Sequence, residues 1–440
     1  MRHPKERLIL PQSYNRRDFL RLSGGLAGGA LLSACGGAAP SPDQAAPSAA
    51  GGSTPSERAS VAAEEGGLAI GSPGNPAEQP LFDDIPAIES GLDPEPGPLR
   101  LYNWADYIYK DTLDRFAKRF DVEYELTTFY NLDEALRKLA TGEFKADVFF
   151  PSSPVLPKYV AGRLLQPLNH DYLPNLEANV WPALADPYYD AGSRYSVPYA
   201  IYHTGIAWRT DQFDLDLDAM ENPWDVFWDA QHKNKIGLYD DDRESLSVAL
   251  YHNGNLDPNT TDPAQLEEAA ASLVELVDLV NIRYSIDGAY VQLPEGRVGI
   301  HHAWSGDLVS APYYMKKGDD PSVLRYMWPP KGRSSTTGGL VGSDNMVILA
   351  NAEHPVLAHT FLNFMLDNEN ALHNFSWTGY QPPITAINTE TLVADEYVPE
   401  YLDTAVVREE DFEIGQVPLQ LPVEGEQMWK QAWATAQSGG

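Results

Sequence analysis

Residues Leu99–Ser153 read LRLYNWADYIYKDTLDRFAKRFDVEYELTTFYNLDEALRKLATGEFKADVFFPSS, and the periodicity changes along them. Leu99 to Leu101 is a short apolar strand. YKDTLDRFAKRF sets Leu113, Phe116, Ala117 and Phe120 at helical spacing with charges between them. DVEYELTTF alternates as a strand does. NLDEALRKLATGE returns to helical spacing through Leu132, Ala135, Leu136 and Leu139 and stops at Gly142. ADVFFPSS is an apolar strand ended by Pro151. Strand, helix, strand, helix, strand predicts an α/β fold, a parallel sheet covered by helices.

The alternation continues downstream. RYSVPYAIYHTGIAWR is strand-like, PAQLEEAAASLVELVDLV is a long amphipathic helix, RVGIHHAWSGD is a strand ending in a loop, and DNMVILA is a buried strand. HPVLAHTFLNFMLD is a helix whose start is marked by Pro355. Ligands of open α/β sheets bind beyond the carboxyl ends of the strands. Three segments there carry rings, hydroxyls and acids: NWADY after the first strand, PSS after the third, and WSGD after RVGIHHA.

Hydrophobic residues make up 43% of the 440 and charged residues 21%, an ordinary globular mix. The balance of charge is not ordinary: 31 Lys and Arg stand against 63 Asp and Glu, a net −32. Such acidity repels nucleic acid and anionic lipid headgroups. Surface charges are screened beyond about 8 Å, so selective binding has to come from particular carboxylates. The only cysteine, Cys35, excludes an internal disulfide and a multi-cysteine zinc site.

Arg16–Arg17 followed by Phe19–Leu20 resembles a twin-arginine export signal. Leu22–Ala34 is uncharged and too short to span a bilayer, and suits a signal-peptide core. LSAC resembles the lipobox of bacterial lipoproteins, which makes Cys35 the lipidated first residue of a mature chain exported to the periplasm or the outer face of the cytoplasmic membrane. Residues 35–97 are rich in Ala, Gly, Pro and Ser, and are expected to be a disordered tether.

LYNWADYI, DVFFPSS, YSVPYAIYHTGIAW, GLYDDDRES, WSGD, DNMVILANAEHP and WTGYQPP occur in that order between Leu99 and Trp433. Together they resemble the spermidine/putrescine-binding proteins of bacterial ABC importers. The resemblance implies a two-lobed, type II periplasmic-binding-protein fold with discontinuous lobes and a central cleft. It places the lobe crossings near Ile201–Tyr202 and Ser305–Gly306, with one lobe holding about 98–202 and 306–353 and the other 203–305 and 354–437. It implies a monomer that closes on a polyamine and docks on a membrane permease.

The same resemblance maps ligand contacts onto Trp104 and Tyr107 in the first loop, Ser152 in PSS, Asp241 and Glu244 in DDDRE with Asp242 turned elsewhere, Tyr284, Trp304 and Asp307 in WSGD, and Asp344. Tyr102 is expected in the core and Asp106 in a turn or cap. These residue types suit the chemistry. Each ammonium needs carboxylates or ring faces in place of water, and the methylenes between need apolar walls; a ring face does both. Ala105, Pro154, the pair Tyr202–His203 and His373 depart from the family pattern and bear on which amine is taken.

Other chemistries fit less well. An exported glycoside hydrolase also lines its cleft with rings and paired acids, but the chain has no GxSxG, HExxH or GxxxxGK[ST]. The adjacent pair His301–His302 on a strand faces opposite sides, a poor metal site. A sugar also stacks on Trp, but a neutral ligand does not offset several desolvated carboxylates. No cofactor, metal or catalysis is expected.

Overall fold

The computed structural model describes residues 68–142, 144–330 and 337–438. The expected export signal and Cys35 lie outside them. Strand β1 (Leu99–Trp104), helix α1 (Lys110–Phe120), β2 (Tyr124–Phe129), α2 (Leu132–Ala140) and β3 (Val148–Phe149) form the predicted parallel unit, with β1 between β2 and β3. Asn131 caps α2 by accepting from the Glu134 N–H at 3.0 Å, a contact that stabilises a helix start by about 1 kcal/mol.

The chain continues through α3 (Leu156–Ala161), the long strand β4 (Ser196–Arg209), β5 (Ile236–Leu238), α4 (Asp242–His252), α5 (Pro263–Val280) and β6 (Arg283–Tyr284). There follow β7 (Ile300–Trp304), α6 (Ser305–Ser310), β8 (Leu324–Met327), β9 (Val341–Ile348), α7 (Pro355–Met365), α8 (Asn368–Thr378) and α9 (Val423–Ser438). The strands run β2-β1-β3-β9-β4-β7-β5-β6, with β8 also on β4. WSGD, expected as a loop, is the end of β7 and the first turn of α6.

β4 organises the molecule. Residues 196–203 pair antiparallel with β9, and residues 204–209 pair with β7 and β8. One strand thus belongs to two half-sheets, and the chain first changes lobe at His203–Thr204. The second crossing differs from expectation. β8 still pairs with Ile206–Arg209 in the second lobe, so the return comes just before Val341 rather than at Ser305.

Residues 354–437 do not all lie in the second lobe either. Phe116 of α1 meets Phe361 of α7 edge-on at 5.1 Å and Phe364 at 5.3 Å. Burying such rings stabilises by about 1.5–3 kcal/mol each, which holds α7 on the first lobe. Ile201 and Val180 form bridges with Gln381 and Ile384 there as well. Only later does the chain return, when α9 packs on α4 and α5 with Trp429 in the second core.

Residues 68–97, expected as tether, form a strap laid along the first lobe. The Gln79 amide, 1% exposed, donates to the carbonyls of Ala69 and Tyr189 at 2.9 and 2.7 Å. Tyr195 donates to the Pro80 carbonyl at 2.6 Å, Asn169 to that of Ile88 at 3.0 Å, and the Leu357 N–H to Glu95 at 2.8 Å. Composition measures apolar burial, and this strap is held mainly by its backbone carbonyls and polar side chains.

Candidate ligand-binding cleft

A hollow of about 280 Å³ opens between the lobes. From the first lobe it receives Trp104 at the end of β1 and Tyr107 just after it, Ser152 after β3, and Asp344 from β9. From the second come Asp241 and Glu244 at the start of α4, and Trp304 and Asp307 where β7 meets α6. Eight of the nine residues named from sequence therefore share one space. Tyr102 is buried against Phe129, Phe144 and Phe149, as expected of a core ring. Asp106 sits at the hollow in a left-handed turn, φ 55°. Asp242, expected to turn away, also lines it.

Tyr284 is the exception. Parallel pairing of Leu238 with Tyr284 carries it to the sheet edge, where its ring meets Trp433 at 5.3 Å. Its neighbours Ile286 and Tyr290 line the hollow instead. His373 also lies elsewhere, bonded to Asp111 at 2.8 Å beside Tyr109. His203 is buried at the crossing, stacked on Trp328 at 4.8 Å, whereas Tyr202 reaches the hollow.

The acids and rings form a continuous strip. Tyr107 donates to Asp344 Oδ2 at 2.7 Å and packs edge-on against Tyr380 at 4.6 Å. Tyr380 donates to Asp307 Oδ1, and Tyr239 to Asp307 Oδ2, both at 2.6 Å. Tyr239 stacks on Trp304, whose indole N–H donates to Glu244 Oε1 at 2.7 Å. Tyr239 and Tyr380 were not singled out from sequence. The signal for Tyr380 lay in WTGY: Gly379 turns at φ +75°, and a Cβ on Gly306 would stand 2.5 Å from the Tyr380 ring.

Burial dominates the electrostatics. It pushes the Glu244 carboxyl up to about 8, with Asp241 adding to the rise and the Trp304 donor opposing it. Asp344 is raised to about 6 by burial against the pull of Tyr107 and Ser152. Asp241, which caps α4 through the Glu244 N–H at 3.0 Å, is raised to about 6 by burial and then by Asp242. Arg243 directs its guanidinium to the carbonyls of Leu419 and Pro258 and to Asn259, lying over Trp429. Buried carboxylates resist ionisation unless a positive charge joins them. The Glu244 Oε2, Asp344 Oδ1 and Trp104 Nε1 atoms are buried without a hydrogen-bond partner.

Two α/β lobes sharing a strand and enclosing such a hollow have the two-lobed, type II architecture of solute-binding proteins. The model of the bacterial extracellular solute-binding protein family matches residues 111–399, and the chain belongs to that family. It is 29% identical over 278 residues to the putrescine/cadaverine-binding protein of Pseudomonas aeruginosa, covering 62% of this chain and 75% of that one. It is 28% identical over 286 residues to the spermidine/putrescine-binding periplasmic protein of Salmonella typhimurium, covering 65% and 77%. Among solved structures, a putative spermidine/putrescine ABC transporter protein from Listeria monocytogenes superposes with a TM-score of 0.66 at 26% identity, over 77% of this chain and 98% of that one. Among the described residues no cluster of three or more metal-ligating side chains occurs, and no helix is long and apolar enough to cross a membrane.

Proposed function

We propose that the protein captures a polyamine, putrescine, spermidine or a related amine, between its lobes and delivers it to an ABC importer in the membrane. The observation that carries this reading is a set of carboxylates raised by burial, Glu244 and Asp344 enclosed and Asp241 half-buried at the helix start, interleaved with Trp104, Tyr107 and Trp304. A ligand with two or more ammonium groups restores their ionisation, and its methylenes lie on the ring faces. Asp307, held by two phenols, is the foremost ammonium partner, with Ser152 as a hydrogen-bonding neighbour. Contacts that only the closed lobes complete favour closure on ligand. Polyamine-binding relatives support the ligand class. The twin-arginine and LSAC signals support export and anchoring through a lipid on Cys35.

Titration calorimetry of the chain from Leu68 onward with putrescine, cadaverine, spermidine and a neutral disaccharide tests the reading. Saturable heat with at least one amine and none with the sugar is expected; the reverse pattern overturns it. Asp307→Asn is expected to weaken amine binding by at least about 30-fold, the loss typical of a buried charge left without its partner. Asp106→Asn is expected to stay within about threefold of the parent, as for a rim charge.

A further inference from the structure

We propose that Tyr239, a residue without surface in the cleft, is a positioning residue that holds the Trp304 ring and the Asp307 carboxylate together as one cation-binding unit. This rests on the polyamine reading above. Tyr239 follows β5, is 0% exposed and is not among the residues lining the hollow. Its ring lies on Trp304 at 4.0 Å and 19°, covering one indole face. Its hydroxyl donates to Asp307 Oδ2 at 2.6 Å and accepts from the Trp304 backbone N–H at 2.9 Å. One phenol thus fixes the plane of a ring and the orientation of an acid three residues further along, at the same strand–helix junction.

The phenol is itself held from behind. His302 stands edge-on at 4.5 Å and His301 at 5.2 Å, and the Tyr239 N–H points to His302 Nδ1 at 3.4 Å. Burial and the neighbouring Asp307 push its ionisation well up, and Glu244 acts in the same direction, so it stays a donor. Trp304 keeps its bond to Glu244, and Asp307 its bond from Tyr380, without Tyr239. Tyr239 bonds to both, and so links them.

The test compares wild type with Tyr239→Phe, which keeps the ring and removes the hydroxyl, and with Tyr239→Leu, which removes both. Amine affinity by calorimetry is expected to fall about 10- to 100-fold in Tyr239→Phe, the range for losing a hydrogen bond to a charged group, and further in Tyr239→Leu. A carboxylate that loses a donor is protonated more easily, so the acid limb of the binding profile moves to higher pH. In the empty protein, carboxyl-carbon NMR is expected to show Asp307 titrating at higher pH in Tyr239→Phe. Wild-type affinity in that variant, or weaker binding with an unmoved acid limb and Asp307 titration, overturns the proposal while the polyamine reading stands. If the wild type binds no amine, that reading fails, and the NMR titration still decides on Tyr239.

Discussion

Glu244 shows most clearly what burial does to a single side chain in this cleft. Its carboxyl is pushed up to about 8, far above an ordinary glutamate. Above pH 8 the folded protein carries a buried charge that the unfolded chain carries in water. As the pH falls through 8 the folded group takes up a proton that the unfolded chain does not, so stability rises until the ordinary glutamate range is reached. Glu244→Gln is therefore expected to raise the Tm of the empty protein by a few degrees at pH 9, with the gain vanishing towards pH 5 in scanning calorimetry. Amine binding has the opposite slope. It strengthens from pH 6 to 8 in the parent as Glu244 and Asp344 ionise more readily around a cation, and the Glu244→Gln variant loses most of the rise above pH 7. At this scale much was legible, because Trp304 and Asp307 sit in a short motif whose chemistry names itself. Tyr239 and Tyr380 were not, since they meet Asp307 from 68 and 73 positions away along the chain. Tyr284 was misplaced because spacing alone does not tell which side of a two-residue edge strand faces the cleft.

Among the elements, α9 has a reach that its own sequence does not advertise. It packs on α4 and α5 of the second lobe, yet Lys430 pairs with Asp133 of α2 at 2.7 Å, and Glu426 pairs with Lys158 of α3, both across to the first lobe. These contacts exist only while the lobes are together. The Lys430–Asp133 pair is half exposed, and such pairs contribute about 0.2–1 kcal/mol. Lys430→Glu is expected to weaken amine binding by up to about fivefold, and adding Asp133→Lys in the same chain to restore it; a failure of the double variant to recover would show that the pair does not bias closure. The α/β alternation and most helix positions could be read from periodicity. Which lobe a helix joins could not. The apolar stripe of α7 fits any sheet face, and only its Phe361 and Phe364 meeting Phe116 assigns it. WSGD became a helix start rather than a loop because Asp307 in a first turn is favourable to a helix.

Over the whole molecule, the strap changes where the folded part begins. A chain starting at Pro98 loses the bonds made by Gln79, Pro80, Ile88 and Glu95, each worth about 0.5–1.5 kcal/mol. Its Tm is expected to lie at least about 5 °C below that of a chain starting at Leu68, while amine affinity stays within about twofold, because none of these residues lines the hollow. Equal melting temperatures would mean the strap adds nothing. The partners of the strap, among them Tyr189, Tyr195, Asn169 and Leu357, all belong to the first lobe. Any pull on the chain upstream of residue 68 is consequently borne by that lobe rather than by the opposite jaw.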